Sequence, residues 1–195
     1  MTIKKVRNLM IGAAFAVMFS GQAVIAGGHE AQLEEFAKTT VAEWIKNPAI
    51  IKAIMAQNTK NAALSEAEII VLDKKWRAET KASSKPMIDG VLANDVSKAL
   101  GGYKGASSGM VTEIFVMDNK GLNVGQSDVT SDYWQGDEGK WKKTYLKGPD
   151  AIFVDEVEKD ESTQTLQSQL SMSIKDPATG KVIGAITVGV NVDAL

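Results

Sequence analysis

Apolar positions recur with a helical period from Glu30 to about Leu100 and with a period of two after Gly109. The chain therefore divides into a helical half and a strand half. In AQLEEFAKTTVAEWIKN, the residues Leu33, Phe36, Ala37, Val41, Trp44 and Ile45 share one face, and Asn47-Pro48 stops or kinks the helix. A second helical piece follows in PAIIKAIMAQ. Ser65-Glu66-Ala67-Glu68 reads as a capping box that opens a helix carrying Ile69, Leu72 and Trp76. After a break at Ser83 to Pro86, the spacing predicts one last short helix, IDGVLANDVSKAL, ended by Gly101-Gly102.

Five strands follow: MVTEIFVMD and LNVGQS as a hairpin around a DNKG turn, then AIFVDEVE, TQTLQSQLSMSIKD and KVIGAITVGVNV. The alternation is clean from Thr165 to Ile174: Leu166, Leu170, Met172 and Ile174 point one way, while Gln167, Gln169, Ser171 and Ser173 point the other. The last strand sets Val182, Ile186, Val188, Val190 and Val192 opposite Ala185, Thr187 and Gly189. A strand with bulk on one face and small residues on the other packs helices on the first and leaves volume on the second. A partly apolar face of that kind needs a cover.

The large insertion between strands runs from Thr130 to Gly148 and contains SDYWQGDEGKWKK. It reads as a lid over the small-residue face. Gly136 and Gly139 deny it a stable helix, and Trp134 and Trp141 supply inward-facing apolar area. Asp137, Glu138, Lys140, Lys142 and Lys143 are expected to keep its outer side wet. Two uses of the rings stay open: walls of a ligand pocket, or plugs that complete the core.

The N-terminus changes the setting. Lys4, Lys5 and Arg7 precede an apolar run from Leu9 to Phe19, and Ala23-Val24-Ile25-Ala26 offers small residues where a signal peptidase acts. Residues 1–26 read as a secretory signal peptide, with an uncleaved anchor as the alternative, and the protein is expected in the periplasm. No later segment is a candidate membrane span, so the protein is not membrane-spanning after cleavage. Cleavage takes three basic residues from the 22, leaving 19 against 24 acidic ones and a net charge near −5. That balance gives no footprint for nucleic acid and no basic stripe for anionic lipid. Cysteine is absent, so disulfides and thiol chemistry do not enter. The remaining length suits one domain that buries a real core.

Motifs for catalysis are weak, and no enzyme is expected. Gly105-Ala106-Ser107-Ser108-Gly109 matches G-x-S-x-G, but that motif needs a strand before the serine and a helix after it, the reverse of the order here. The single histidine, His29, lies too far upstream to serve Ser107 as a base. Asp137, Glu138, Asp155 and Glu156 are too common a combination to specify acid–base chemistry. No P-loop, HExxH or calcium loop occurs, so no metal or cofactor is expected. Cleavage after Ala26 would leave Gly27-Gly28-His29 as a new amino terminus, a donor set for square-planar Cu(II) or Ni(II), more readily incidental than physiological.

The succession of a long N-terminal helical region, LDKKWR, five strands, DYWQGDEGKW, FVDEVEKDEST and GKVIGAITVGVNV resembles the Cache family of extracytoplasmic sensor domains, most closely its single-domain periplasmic members. The resemblance spans nearly all of residues 27–195 as one domain: a helical region 27–108 and a sheet 109–195 with a lid loop 130–148. It implies an α+β fold, a PAS-like five-stranded antiparallel sheet with the N-terminal helical region packed on one face. It also implies a small-molecule pocket on the other face, beneath the lid. The chain departs from the common family arrangement by ending after the last strand, so signalling is expected to pass to a separate membrane receptor or kinase.

Carried onto this sequence, the resemblance implies Tyr133, Trp134 and Trp141 as aromatic walls and Asp155 as a polar anchor. Thr187 stands on the facing strand. An acidic anchor among aromatic rings favours an amine. Arg77, the one arginine outside the leader, either clamps a carboxylate or pairs with Asp73 or Glu79 on its own helix. Amine, carboxylate and amino acid all remain possible ligands. The favoured function is a periplasmic small-molecule sensor module. The alternative is a carrier or protein-interaction protein whose pocket is filled by its own side chains.

Overall fold

A computed structural model describes residues 23–159 and 166–195, with side chains from residue 28 onward. The expected leader falls mainly on residues 1–22, and the DEST part of the FVDEVEKDEST stretch on residues 160–163; both lie outside the described residues. Among the described residues, no helix is long and apolar enough to cross a membrane.

Helix α1 (Ala23–Phe36) passes through a π-helical turn, Ala37–Val41, into α2 (Ala42–Trp44). Asn47 then caps α3 (Pro48–Lys60), its side chain accepting from the Ala49 amide while Pro48 takes the first helical position. Helix α4 (Glu66–Glu79) opens with the expected capping box, in which Ser65 and Glu68 satisfy each other's backbone amides. Proline again starts α5 (Pro86–Leu92), and Glu79 accepts from the free amides of Met87 and Ile88.

The last expected helix is two helices. Asn94 leaves α5, caps the Ser97 amide and starts α6 (Asp95–Ala106), which runs straight through Gly101-Gly102. The diglycine does not end it because neighbouring residues are held from outside: Leu100 is fully buried, and Tyr103 stacks on Trp44 with centroids 5.0 Å apart. Tertiary contact outweighs the roughly 1 kcal/mol per glycine that favours fraying. Ser107 then closes the helix, its hydroxyl donating to the Lys104 carbonyl and accepting from the Val111 amide. That hydroxyl joins helix to strand.

The strands are β1 (Val111–Met117), β2 (Asn123–Gln126), β3 (Ile152–Val154), β4 (Glu158–Lys159), β5 (Leu166–Lys175) and β6 (Val182–Asn191). They form one antiparallel sheet in the order β2-β1-β6-β5-β3, with β4 also on β5. This is the PAS-like α+β arrangement expected. Its sixth strand comes from AIFVDEVE, which breaks into β3 and β4, both paired with β5.

One face of the sheet carries Ile114, Val116, Leu170, Met172, Ile174, Ile186, Val188 and Val190 against Leu33 of α1, Ala37 and Val41 of the π-helical turn, Ile50 and Ile54 of α3, and Val96 and Leu100 of α6. The bulky face of the last strand thus receives the helices. Gly184 is required on this side, since a Cβ there would stand 2.2 Å from the Met117 carbonyl oxygen and 3.2 Å from Ile54. A separate cluster beyond β2 packs Ile69, Trp76 and Ile88 of α4 and α5 with Leu122 and Tyr133.

Candidate functional site

The second face of the sheet is set by alternation. Phe115 and Met117 of β1 and Ala185 of β6 pack against Trp141 and Tyr145 of the insertion. Ser171 and Thr187, both fully buried, share a hydrogen bond of 3.0 Å across β5 and β6, and Gln169 donates to Glu113 at 3.0 Å. The small-residue face is therefore covered, as its pattern required.

The cover has two parts that do different things. Its first part, residues 131–136, is fastened beside the sheet. Asn123 donates to the Tyr133 carbonyl, Gln135 donates to the Gly121 carbonyl, and the Trp134 indole donates to the Lys120 carbonyl at 2.8 Å. Asp73 of α4 accepts from the amides of both Tyr133 and Trp134, at 2.9 and 3.1 Å. Arg77 bridges Asp73 at 2.6 Å and Asp132 at 3.0 Å. These bonds raise the affinity of its guanidinium for its proton, the Asp73 hydrogen bond most. Arg77 is thus occupied by its own helix, as one of the two sequence readings had it, and by the insertion as well.

Gly136 is small for a reason other than turning. A Cβ there would meet the Trp134 ring at 2.3 Å and the Lys120 carbonyl oxygen at 2.7 Å. Opposite it Gly121, at φ +80°, would place its own Cβ 2.5 Å from Gly136. Two glycines back to back let the insertion lie on the β1–β2 turn.

The second part forms a short helix α7 (Gly139–Lys142) and a 3₁₀ turn, Tyr145–Lys147, over the sheet. Trp141 stacks on Tyr145 with centroids 4.8 Å apart, and its indole donates to the Asp118 carbonyl at 3.2 Å. Burial, aided by the Asp118 carboxylate, pushes the Tyr145 hydroxyl above its ordinary pKa. Two charges expected on the wet side turn inward. Lys140 pairs with Glu138 at 2.9 Å and lies 5.4 Å from the Phe115 ring centroid. Burial raises the Glu138 carboxyl above the usual carboxylate range, and the Lys140 pairing opposes the shift. Lys143 covers the Phe153 ring at 4.0 Å. Asp137 and Lys142 stay exposed.

Beside this cover a groove of about 320 Å³ runs between Glu138 and Lys140 on one side and Gln167 and Gln169 of β5 on the other. Asp155, Glu156, Glu158 and Lys159 complete it. The break between β3 and β4 explains the density of carboxylates. Val154 pairs with Leu170 and Glu158 with Gln167, so four steps on one strand match three on the other. The extra residue is a bulge that breaks alternation, as bulges beside sites do. Asp155 stays tied to β5, its amide donating to the Gln169 carbonyl and its carbonyl accepting from Ser168.

Of the residues proposed from the sequence, Asp155 lines this groove, and Trp141 packs beside it on the sheet. Tyr133 and Trp134 belong to the α4–α5 cluster; Tyr133 stacks on Trp76 at 5.4 Å, and burial holds its hydroxyl well above the ordinary tyrosine pKa. Trp134 therefore does not face the sheet as its place in the insertion had led us to expect. Thr187 lies beneath the cover, bonded to Ser171. The volume expected over Gly189 is filled, because a Cβ there would stand 2.4 Å from Thr112 Oγ1 and 2.8 Å from Glu113 Cγ. Sequence reasoning missed Gln167, Gln169, Glu138 and Lys140 as lining residues. The two glutamines share the polar side of the alternation, a signal that was present. The inward turn of Lys140 had none.

No family model matches this chain, and no curated protein matches it either. Among solved structures, it is similar to the sensor domain of the histidine kinase DctB of V. cholerae, at 14% identity and a TM-score of 0.38 over 88% of this chain and 57% of that one. It is also similar to the ligand-binding domain of the Campylobacter jejuni chemoreceptor Tlp3 in complex with 4-methylisoleucine, at 16% identity and a TM-score of 0.39 over 80% and 62%. The Tlp3 sensory domain with isoleucine bound gives 14% identity and a TM-score of 0.38 over 88% and 64%. The chain spans 57 to 64% of the length of these solved sensor domains.

Proposed function

We propose that this protein is a non-catalytic, extracytoplasmic small-molecule sensor module, and that its ligand binds in the groove between the cover and β5. The observation that carries this reading is the bulge between Asp155 and Glu158. It brings three carboxylates, Asp155, Glu156 and Glu158, beside Gln167 and Gln169 of β5 and opposite Glu138 at the start of α7, a short helix that already leans on the sheet through Trp141. Among the lining charges, Glu138, Asp155, Glu156 and Glu158 outnumber Lys140 and Lys159, and Lys140 is already paired with Glu138. That excess favours a ligand with an ammonium group, an amine or the amino end of an amino acid. Gln167 and Gln169 add donors and acceptors that orient the rest of it.

Binding here pulls Glu138 and Lys140 toward the ligand and so bears on α7, which links the groove to the Trp141–Tyr145 stack. The response then passes to a membrane receptor or kinase, and the module works in the periplasm after leader removal. Intact-mass analysis of exported protein tests the second point and should find a chain beginning at Gly27. The ligand groove is tested by calorimetric titration of the exported protein with a panel of amines and amino acids. At least one should bind, and Asp155→Asn should weaken it by about 1–3 kcal/mol, the range for a charged hydrogen bond. Binding of carboxylates alone, indifferent to Asp155, would overturn the site.

A second reading has its own observation. Trp141 and Tyr145 fill the apolar part of the covered face, and Thr112 and Glu113 fill the space above Gly189. A carrier or interaction protein with a self-filled core would look the same there. Trp141→Ala separates the two: it weakens amine binding if the stack supports the groove, and only destabilises the fold if the stack is a plug.

A further inference from the structure

A second opening lies at the β3 edge of the sheet, where the chain leaves the cover at Pro149 and Asp150. A trough of about 570 Å³ lies between the end of the N-terminal helix and the β3–β5 edge. Ala42, Ile45 and Ile51 form one wall, and Ile152 and Met172 form the other. All but Met172 are only partly buried, so the wall presents apolar surface to solvent that the core does not use. Its lining carries Lys38, Lys46 and Lys175 and one carboxylate, Asp150, while Glu34 and Glu43 pair with the first two lysines from outside the lining. This runs against the composition of the whole chain, which has 24 acidic and 22 basic residues.

The wall is shaped by the π-helical turn Ala37–Val41. A π turn accommodates one residue more than an α turn, costs helix stability, and persists mostly where it serves a site. Here it contains Lys38, at the mouth, and leads directly into Ala42, on the wall. The three lysines have partners, Glu34, Glu43 and Asp150, but all three ion pairs are solvent-exposed. Such exposed pairs contribute little to stability, so loss of one to a bound anion costs the fold little.

We propose that this trough binds a free aliphatic carboxylate, with its tail between Ile45, Ile51, Ile152 and Met172 and its head at Lys38, Lys46 and Lys175. The volume is that of a small-molecule pocket. An apolar wall with a cationic mouth is complementary to an amphiphile with an anionic head, and a neutral or cationic amphiphile leaves the lysines unused. The site lies on the opposite face of the sheet from the amine groove and stands or falls without it.

The test uses the exported protein and saturated carboxylates of four to fourteen carbons, below their micelle concentrations, followed by calorimetry. Affinity should rise about three- to fourfold per methylene and level off once the tail outgrows the trough. The alcohol of equal length should bind at least tenfold more weakly. Ala42→Phe should abolish binding by filling the wall, and Lys38→Glu with Lys46→Glu should weaken it at least tenfold while leaving circular dichroism unchanged. The exposed lysine variants decide the matter if Ala42→Phe fails to fold. Asp155→Asn and Trp141→Ala should leave carboxylate binding unaltered. Equal binding of alcohol and acid, or no dependence on chain length, overturns the proposal. So does sedimentation with anionic phospholipid vesicles in place of binding to monomeric carboxylate. Dimerisation that Ala42→Phe abolishes, with no carboxylate bound, makes the trough an interface between copies and likewise overturns it.

Discussion

Glu138 shows how a single side chain can couple the cover to pH. Its carboxyl is raised above the usual range chiefly by burial, with Lys140 pulling the other way. A raised folded-state pKa means the folded chain holds the proton more tightly than the unfolded one. The associated stability is present below the ordinary carboxylate pKa and is lost as pH rises through the raised value. Melting temperatures of wild type and Glu138→Gln should therefore coincide more closely at low pH, with wild type falling behind as pH rises. A gap that widens as pH falls would contradict this. Gly184 gives a second test at this scale. Its missing Cβ faces the Met117 carbonyl, a backbone atom that cannot swing away. Gly184→Ala should cost about 1–3 kcal/mol in denaturant unfolding. Gly139→Ala, whose Cβ would meet Phe153 at an ordinary 3.7 Å, should be close to neutral.

Among the elements, α6 departs most from its sequence pattern. Gly101-Gly102 reads as a helix end, yet both residues lie inside the helix, and an added Cβ at either meets nothing within 4 Å. Their glycine character is then a local cost without a packing return. Gly101→Ala and Gly102→Ala should each raise stability by about 0.5–1 kcal/mol, read as a shift in denaturation midpoint at constant slope. Elsewhere the pattern was a good guide. Pro48, Pro86 and the Ser65–Glu68 box mark helix starts because a proline ring or a cap acts within one turn of chain. The split of AIFVDEVE could not be read in the same way. A bulge is defined by what the partner strand does, and the strand's own alternation holds no record of that register.

Across the whole molecule, the insertion is the joint between the helical layer and the sheet. Asp73 of α4 receives two of its amides, Arg77 ties Asp73 to Asp132, and Trp141 reaches the β1–β2 turn. That turn is held in place by Asp118, whose fully buried carboxylate accepts from Gln57 of α3 and from Asn61, just past its end, at 3.1 Å each. Asp73→Ala leaves two amides and one guanidinium contact unmet and should cost about 2–3 kcal/mol. Hydrogen exchange should accelerate in residues 131–136 more than in residues 139–147, because only the first part leans on α4. Equal acceleration of both parts would show that the cover moves as one piece.

Apart from the start of α6 at Asn94 and the split into β3 and β4, the chain's own pattern marks its two halves, the starts of α3 and α4, the strand stretches and the face of the sheet that takes the helices. Each of these follows from periodicity or from a cap that acts over a few residues. The alternation also called for a cover over the small-residue face, and Trp141 and Tyr145 of the insertion lie against it. Only the tertiary structure decided how that cover divides. DYW and KW look alike in sequence, yet Trp134 joins α4 and α5 while Trp141 lies on the sheet. Their separation depends on Asp73, sixty-one residues before Trp134, accepting that residue's amide. The carboxylate groove likewise depends on a register mismatch between strands and on a lysine folding inward onto Phe115. Local periodicity records which way a side chain points from its own element. It carries no record of which distant element arrives to meet it.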